Sequence, residues 1–146
     1  MANNVTGFGT VINLIGSVTF PAGVMVTQFS DDADPLDMAS VKIADTAMGV
    51  NGDLIAWAKA VTLPMVLNVI PGSVDDVNLQ TLFDANRVAQ GKASANDVIT
   101  ATIVYPDKST AILGLGVITD GQPSKSIAGS GRLKTKSYAF SFQTKT

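Results

Sequence analysis

PGSVDDVNLQTLFDANR, residues 71–87, is the stretch that decides the fold, because it is the one convincing helical pattern in a chain of strand patterns. Ser73 suits a helix N-cap, and two aspartates follow where the helix dipole favours anions. The spacing i, i+3, i+4 then gives an apolar stripe formed by Leu79, Leu82 and Phe83. This pattern predicts a helix of about four turns over residues 73–89, and Gly91 can end it.

Alternating and β-branched segments surround this helix, and turn formers separate them. Residues 51–53 are a strong hairpin turn, and residues 20–23 supply another because Pro21 fixes φ. We predict about eight strands, over residues 10–20, 24–29, 41–50, 54–60, 61–69, 98–105, 110–118 and 138–142. With these strands in hairpin order, the predicted fold class is mainly β: an antiparallel two-sheet sandwich or barrel with one α-helix, as a single domain over residues 1–146.

Two of the predicted strands contain residues that disturb a regular ladder. Pro64 cannot donate a ladder hydrogen bond, so its strand lies at an edge or carries a bulge. Gly114 and Gly116 lie inside the strand 110–118 and indicate a bulge or a close backbone approach rather than a dinucleotide site. We expect alternate residues of this strand to share one face, namely Ala111, Leu113, Leu115 and Val117.

Composition excludes several classes of chemistry. The 146 residues include no cysteine and no histidine, so a disulfide framework, a Cys/His zinc site, a thiol nucleophile and histidine acid–base catalysis are impossible. All twelve acidic residues are aspartates, which favour turns and caps. The sequence shows no phosphate loop and selects no pair of carboxylates. We therefore expect no enzyme, no catalytic residue, no metal and no cofactor.

Residues 1–30 carry no charged side chain, yet polar residues and glycines interrupt them every few positions. They lack the basic start of a signal peptide and the continuous apolar length of a membrane span. We therefore expect no membrane insertion of the protein.

Charge is unevenly distributed along the chain, although the net charge is only −2. An acidic loop consists of Asp31, Asp32, Asp34 and Asp37, and a late basic stretch contains Lys125, Arg132, Lys134 and Lys136. The loop lacks the spacing of a calcium-binding EF-hand, and the stretch has no interleaved aromatic residue for base stacking. One interpretation is two solvated loops. The other is that neighbouring copies of the protein mate through these opposite charges.

The order of these elements resembles the tail tube proteins of contractile-tailed bacteriophages, over about residues 10–142. In that family a strand of TLTL type runs into a small polar cap and a helix with Leu-x-x-Leu spacing. The matching residues here are Thr62–Leu63 and Val66–Leu67 for the strand, Ser73 for the cap, Leu79 and Leu82 for the helix, and Asn51–Gly52–Asp53 for the family's DG-like turn.

The resemblance implies a structural subunit whose two sheets join those of its neighbours. Hexameric rings would stack into a hollow tube that conducts DNA from capsid to cell without sequence-specific binding. Its further partners would be a tail sheath, a baseplate and a tail terminator protein. The protein would be made in the host bacterial cytoplasm and reside in the virion, with its helix outside the ring or at a subunit junction.

Two alternatives stay open. Type VI secretion tube subunits share the same general plan. A monomeric β-sandwich binding module, for a sugar or a surface, is the second alternative, and Trp57 is its one candidate ligand platform. A hairpin tryptophan that packs into a partner subunit fits the sequence equally well. Self-assembly measured by light scattering separates the tube subunit from the module.

Overall fold

The computed structural model describes residues 5–146, and these residues form ten strands and one helix. In chain order they are β1 (Val11–Gly16), β2 (Phe20–Val26), β3 (Leu36–Asp37), β4 (Ala44–Met48), β5 (Leu54–Ala58), β6 (Leu63–Val69), α1 (Val74–Asn86), β7 (Ile99–Val104), β8 (Thr110–Asp120), β9 (Lys136–Phe142) and β10 (Thr144–Lys145). The predicted fold class is confirmed, since the chain is mainly β with antiparallel pairing and one helix. Within this range no helix is long and apolar enough to cross a membrane.

Eight strands form one sheet: seven follow the hydrogen-bonded order β2-β1-β7-β8-β9-β6-β3, and β10 pairs with β8 outside this path. The long strand β8 belongs to both halves of this path: its first part pairs with β7 and β10, and its second part with β9. Over the described residues the path does not close into a barrel, although an isolated bridge joins Phe29 to Val69. Strands β4 and β5 form a separate two-stranded sheet.

The hydrophobic core draws its side chains from both halves of the path and from the helix. Its fully buried members include Ile12 of β1, Met65 of β6, Leu82 of α1, Ile103 of β7 and Phe140 of β9. Burial of one such side chain is worth about 1.5–3 kcal/mol. The helix is therefore as much a part of the core as the strands are.

The helix begins where the sequence pattern places its cap. The Ser73 hydroxyl accepts a hydrogen bond from the Asp76 N–H at 3.2 Å and donates one to the Ile70 carbonyl at 2.7 Å. The stripe turned towards the core consists of the buried Leu79 and Leu82 and the partly buried Phe83. The local signals of cap and stripe are thus both used in the folded chain.

The helix ends at Asn86, rather than at residue 89 as predicted. Arg87 is already extended, with φ −80° and ψ 127°. The Lys92 ammonium lies against the carbonyls at this end of the helix: it donates to the Asp84 carbonyl at 2.6 Å and also contacts the Arg87 carbonyl. Gly91, the predicted stop signal, forms part of the turn that brings Lys92 back to the helix.

Two aspartates in the first helical turn connect the helix to strands on either side. Asp75 is 5% exposed and accepts hydrogen bonds from the N–H groups of Thr27 and Gln28, both at 2.7 Å. Asp76 is 3% exposed and accepts one from the Tyr138 hydroxyl at 2.8 Å. The start of the helix is therefore anchored beside the end of β2 and to β9.

Asp97 anchors the other end of the helix. One of its carboxylate oxygens accepts hydrogen bonds from the N–H groups of Val18 and Thr19 at 2.7 and 2.8 Å. The other accepts from the Thr19 hydroxyl at 2.5 Å and from the Asn86 amide at 2.8 Å. Burial by itself raises the pKa of Asp97, but these hydrogen bonds outweigh it and hold that pKa below its ordinary value. The helix C-terminus and the β1–β2 turn thus share one buried carboxylate.

Strand β8 departs from the predicted alternation. Leu113 is buried, whereas Leu115 and Val117 are 56% and 52% exposed. The cause is a bulge: opposite β7 the register jumps from Leu113 to Gly116, and Leu115 has φ +52°. The bulge predicted from the glycines of this segment is confirmed, and so is the close approach, because a β-carbon on Gly116 would collide with the Phe142 ring.

The first turn of the chain lies earlier than predicted. Residues 20–23 belong to β2, and the chain turns at residues 17–19. The N–H groups of Val18 and Thr19 in this turn donate to Asp97, so a residue far along the chain fixes the position of the turn. The two strands beyond the predicted eight, β3 and β10, contain two residues each.

Pro64 lies on a partly free edge, as predicted. Only Leu67 and Val66 of β6 pair with β3, whereas β9 pairs along the whole of β6. The part of β6 that contains Pro64 therefore has β9 as its strand partner and no described strand on its other side.

Candidate functional site on an exposed hairpin

The β4–β5 hairpin stands apart from the large sheet as a two-stranded ribbon. Its turn is closed by hydrogen bonds from the Gly52 N–H to the Gly49 carbonyl at 2.9 Å and from the Gly49 N–H to the Asp53 carbonyl at 2.7 Å. Gly52 has φ +90°, a conformation that glycine adopts without a steric penalty. The hairpin turn predicted at residues 51–53 is confirmed.

Both faces of this ribbon are apolar and exposed. Trp57 lies opposite Asp45 on one face, with Ile55 beside it, and Met48 pairs with Leu54 on the other face. Met48 and Leu54 are 67% and 66% exposed, and Ile55 and Trp57 are 53% and 50% exposed. An isolated two-stranded hairpin is only marginally stable in water, and contiguous exposed apolar surface marks an interaction site. Among residues 5–146, the ribbon therefore has no covering partner on either face.

A small ion cluster lies at the base of the ribbon. The Asp45 carboxylate contacts the Lys42 ammonium at 2.5 Å and the Lys59 ammonium at 2.6 Å. The hydrogen bond from Lys42, and to a smaller extent that from Lys59, lowers the pKa of Asp45 below its ordinary value. These groups are partly exposed, and such pairs add little stability. The cluster orients the base of the ribbon and leaves its apolar part uncovered.

An apolar groove of about 210 Å³ lies at the free edge of β6. It is bounded by the segment that leads from β3 to the hairpin, by β6 and by the β8–β10 pair. Its lining includes Met38, Ala39, Leu63, Pro64, Leu113 and Lys145. The molecule thus carries an uncovered apolar projection and an unfilled apolar depression.

Asp31 of the acidic loop and Arg132 of the basic stretch lie together within one molecule. An Arg132 guanidinium N–H donates to an Asp31 carboxylate oxygen at 2.6 Å. This hydrogen bond lowers the pKa of Asp31 and raises that of Arg132. Charge mating between copies remains a prediction, and any partner copy would compete with this pair inside the subunit.

Asp32 is also engaged within the subunit. It accepts hydrogen bonds from the Thr135 hydroxyl and, at 2.7 Å, from the Ser30 hydroxyl. These two bonds, that of Thr135 first, lower the pKa of Asp32. The exposed remainder of the two predicted charged surfaces consists of Asp34, Asp37, Lys125 and Lys134.

Lys136 lies inside the subunit, so its ammonium is unavailable to an exposed charged surface. Its side chain is 2% exposed, and the ammonium donates to the Gln80 side-chain oxygen at 2.7 Å and lies 3.9 Å from the Asp76 carboxylate. Tyr138 is on the same face of β9, and burial, followed by the Asp76 hydrogen bond, raises the pKa of Tyr138. The alternation that buries Tyr138 also buries Lys136, and this pattern in the sequence could have placed it correctly.

A family model described as tail fiber protein gp32 matches residues 3–146. The chain belongs to this family. A member of the tail fiber protein gp32 family is a structural component of a phage tail, and its location is the virion tail. The phage-tail part of the resemblance stated above is therefore confirmed. No curated protein matches the sequence.

Solved structures with the same fold come from contractile injection systems. One is titled as the sheath/tube terminator of the extracellular contractile injection system PVC in the extended state, at TM-score 0.58 and 11% identity, covering 100% of this chain and 97% of the other. A second is the 6-fold symmetrised baseplate of the anti-feeding prophage, at TM-score 0.58 and 11% identity, covering 100% and 96%. A third is the tube-terminating cap of that prophage, at TM-score 0.55 and 9% identity, covering 100% and 91%. At these identities the likeness concerns the fold.

Proposed function

We propose that this member of the tail fiber protein gp32 family is a tube subunit of a contractile tail. Copies close into hexameric rings, and the rings stack into a hollow tube through which phage DNA passes without sequence-specific binding. A sheath, a baseplate and a terminator protein contact this tube. The subunit is made in the host bacterial cytoplasm and has no catalytic role.

The observation that carries the proposal is the β4–β5 ribbon with two uncovered apolar faces. A monomeric protein that kept Met48, Leu54 and Trp57 in water would gain nothing from them and would risk aggregation. A cyclic assembly covers such a ribbon with identical copies, and each copy then satisfies the next. Family membership supports a tail location for the assembly, and the 6-fold symmetrised structure with the same fold supports the ring number.

The test is the size and shape of the purified protein as its concentration rises. We expect light scattering to show growth from the monomer to a ring and then to a polymer, and negative-stain micrographs to show hollow tubes. The variant Ile55→Asp places a charge on the ribbon and should prevent this growth. Val77→Asp is the matched control, because Val77 is a similarly exposed valine on the helix, at 58% against 53% for Ile55.

The outcomes separate the proposal from its alternatives. A wild-type protein that stays monomeric at high concentration would contradict it and favour the binding module. Discrete rings that never stack would favour an end component of the tail over a tube subunit. Tubes formed equally well by Ile55→Asp would show that the ribbon does not hold the assembly together.

A further inference from the structure

Trp57 is the only tryptophan of the chain, and it lies on the exposed ribbon. It is half exposed on a ribbon that is not hydrogen-bonded to the large sheet. Tryptophan side chains bury about 150–250 Å² when they are covered and dominate the energetics of interfaces. Trp57 is therefore the ribbon residue of the type most enriched at interface hot spots.

The groove at the free edge of β6 has the properties of a receptor for one large side chain. Its volume is about 210 Å³. Its walls are apolar residues such as Leu63 and Leu113, and Lys145 is the one charged residue among its described lining residues. An ammonium beside an indole ring is a favourable cation–π arrangement, and tryptophan is the best aromatic partner for it.

Pro64 restricts which kind of partner can bind at this edge. A free strand edge normally recruits another strand through backbone hydrogen bonds. Pro64 has no N–H to donate, and it lies in the part of β6 that β3 leaves uncovered. A regular ladder cannot continue past it, so the depression is suited to a side chain rather than to an added strand.

We propose that Trp57 of one copy inserts into the groove of Met38, Leu63, Pro64, Leu113 and Lys145 on the next copy. This inference rests on the proposed self-assembly and names its contact. Projection and groove are different surfaces of one subunit, so the contact is head-to-tail, and repetition of it around an axis closes a ring. A second copy is the occupant because the same chain supplies the uncovered indole and the lysine-edged groove.

The experiment uses Trp57 as the fluorophore, since its emission reports the protein without a label. Wild-type emission should move to shorter wavelength as rings form, because the indole leaves water. The groove variant Met38→Lys adds a second ammonium beside Lys145 and should raise the concentration needed for assembly at least tenfold, with emission unshifted. Met25→Lys is the matched control, because Met25 is an exposed methionine on β2, away from the groove.

A mixing experiment tests the direction of the contact. Trp57→Ala keeps the groove but lacks the projection, and Met38→Lys keeps the projection but lacks the groove. At the concentration where the wild type assembles, neither variant should assemble alone, and an equimolar mixture should stop at one-to-one pairs. Circular dichroism of each variant at low concentration checks that the subunit is folded.

Two results would overturn the inference while leaving the proposed function in place. Trp57→Ala could form rings at the wild-type concentration, or wild-type rings could form without any change in emission. A wild-type protein that never assembles would instead contradict the proposed function itself. A mixture of the two variants that builds full rings would contradict the head-to-tail contact.

Discussion

Helix α1 and the β4–β5 ribbon differ in how completely their polar groups are hydrogen-bonded and their apolar side chains are buried within one molecule. Helix α1 has a cap, a buried stripe, a lysine at its last turn and three aspartates that fasten it to the strands and turn around it. The ribbon has one ion cluster at its base and uncovered apolar side chains on both faces. Both elements are rich in apolar residues, so composition alone does not separate them.

Under the proposed function, this difference separates residues that stabilise the folded chain from residues that take part in assembly. Residues that contact the core through the helix should affect the folding of the isolated subunit. Residues of the ribbon should affect assembly and leave the isolated subunit nearly unchanged. The same substitution made in both regions is the sharpest way to test this division.

The largest contrast is expected for leucine truncation. Leu82→Ala should lower the free energy of unfolding by about 2–5 kcal/mol, because it opens a cavity in the core. Leu54→Ala on the ribbon should change it by less than about 0.5 kcal/mol, because Leu54 is already 66% exposed. Urea denaturation below the assembly concentration measures both values. Equal losses would show that the ribbon is packed in the subunit.

The second-largest loss of stability is expected from removal of a buried carboxylate. Asp97→Ala leaves the Val18 and Thr19 donors without their acceptor and should cost about 2–4 kcal/mol. Asp53→Ala at the tip of the ribbon is the control and should be nearly neutral. Thermal melts of the two variants at neutral pH compare them directly. A neutral effect of Asp97→Ala would mean that the β1–β2 turn keeps its conformation without this acceptor.

The pH dependence of stability separates charge from shape at Asp97. Because folding lowers the pKa of this carboxyl, its contribution is present above its unfolded pKa, about 3.9, and is lost as the pH falls through the folded value. Asp97→Asn should therefore reduce the loss of stability between about pH 4 and the acid limit of folding. Melting temperatures across that range provide the measurement, and an unchanged acid slope would assign the loss to other carboxyls.

Loss of the helix cap should have a smaller effect. Ser73→Ala removes the acceptor for the Asp76 N–H and should cost about 1 kcal/mol. Ser40→Ala, in the exposed segment that leads to the ribbon, is the control and should cost almost nothing. Chemical denaturation resolves this difference. A loss at Ser40 as large as at Ser73 would place the leading segment in the folded core.

The smallest effect is expected from the exposed charged loops. If copies mate through charge, Asp34→Lys combined with Asp37→Lys should raise the concentration needed for assembly roughly twofold to fivefold. The effect should disappear at high salt, because exposed pairs are screened. Asp107→Lys, in the turn between β7 and β8, serves as the control. Normal assembly of the double variant at low salt would contradict charge mating.

Sequence reasoning succeeded where one segment carries its own signals. The cap and stripe of the helix, the Gly52 hairpin turn and the alternation of β9 are local patterns, and all three appear in the structure. The edge position of Pro64 also follows from local chemistry, since a missing N–H restricts where a residue can pair.

Sequence reasoning failed where residues far apart in the chain determine the local structure. The first turn was misplaced because Asp97, far along the chain, holds residues 17–19. The glycines of β8 predicted a bulge but not its length, and the length decides on which face Leu115 and Val117 emerge. The ribbon's strands were predicted, yet their separation from the core was not, because the sequence gives no sign of where the uncovered faces lie.

The shared strand β8 has a mechanical consequence. A load on the outer strand β2 passes through β1 and β7 into β8, and from β8 into β9 and β6, always through ladder hydrogen bonds and never across a loop. Two short segments, residues 38–43 and 59–62, connect the ribbon to this sheet, which acts as the frame of the molecule. Stiffness is therefore concentrated in the frame and compliance in those two connections. Bending of an assembled filament would be absorbed at the ribbon joints, while the body of each subunit keeps its shape.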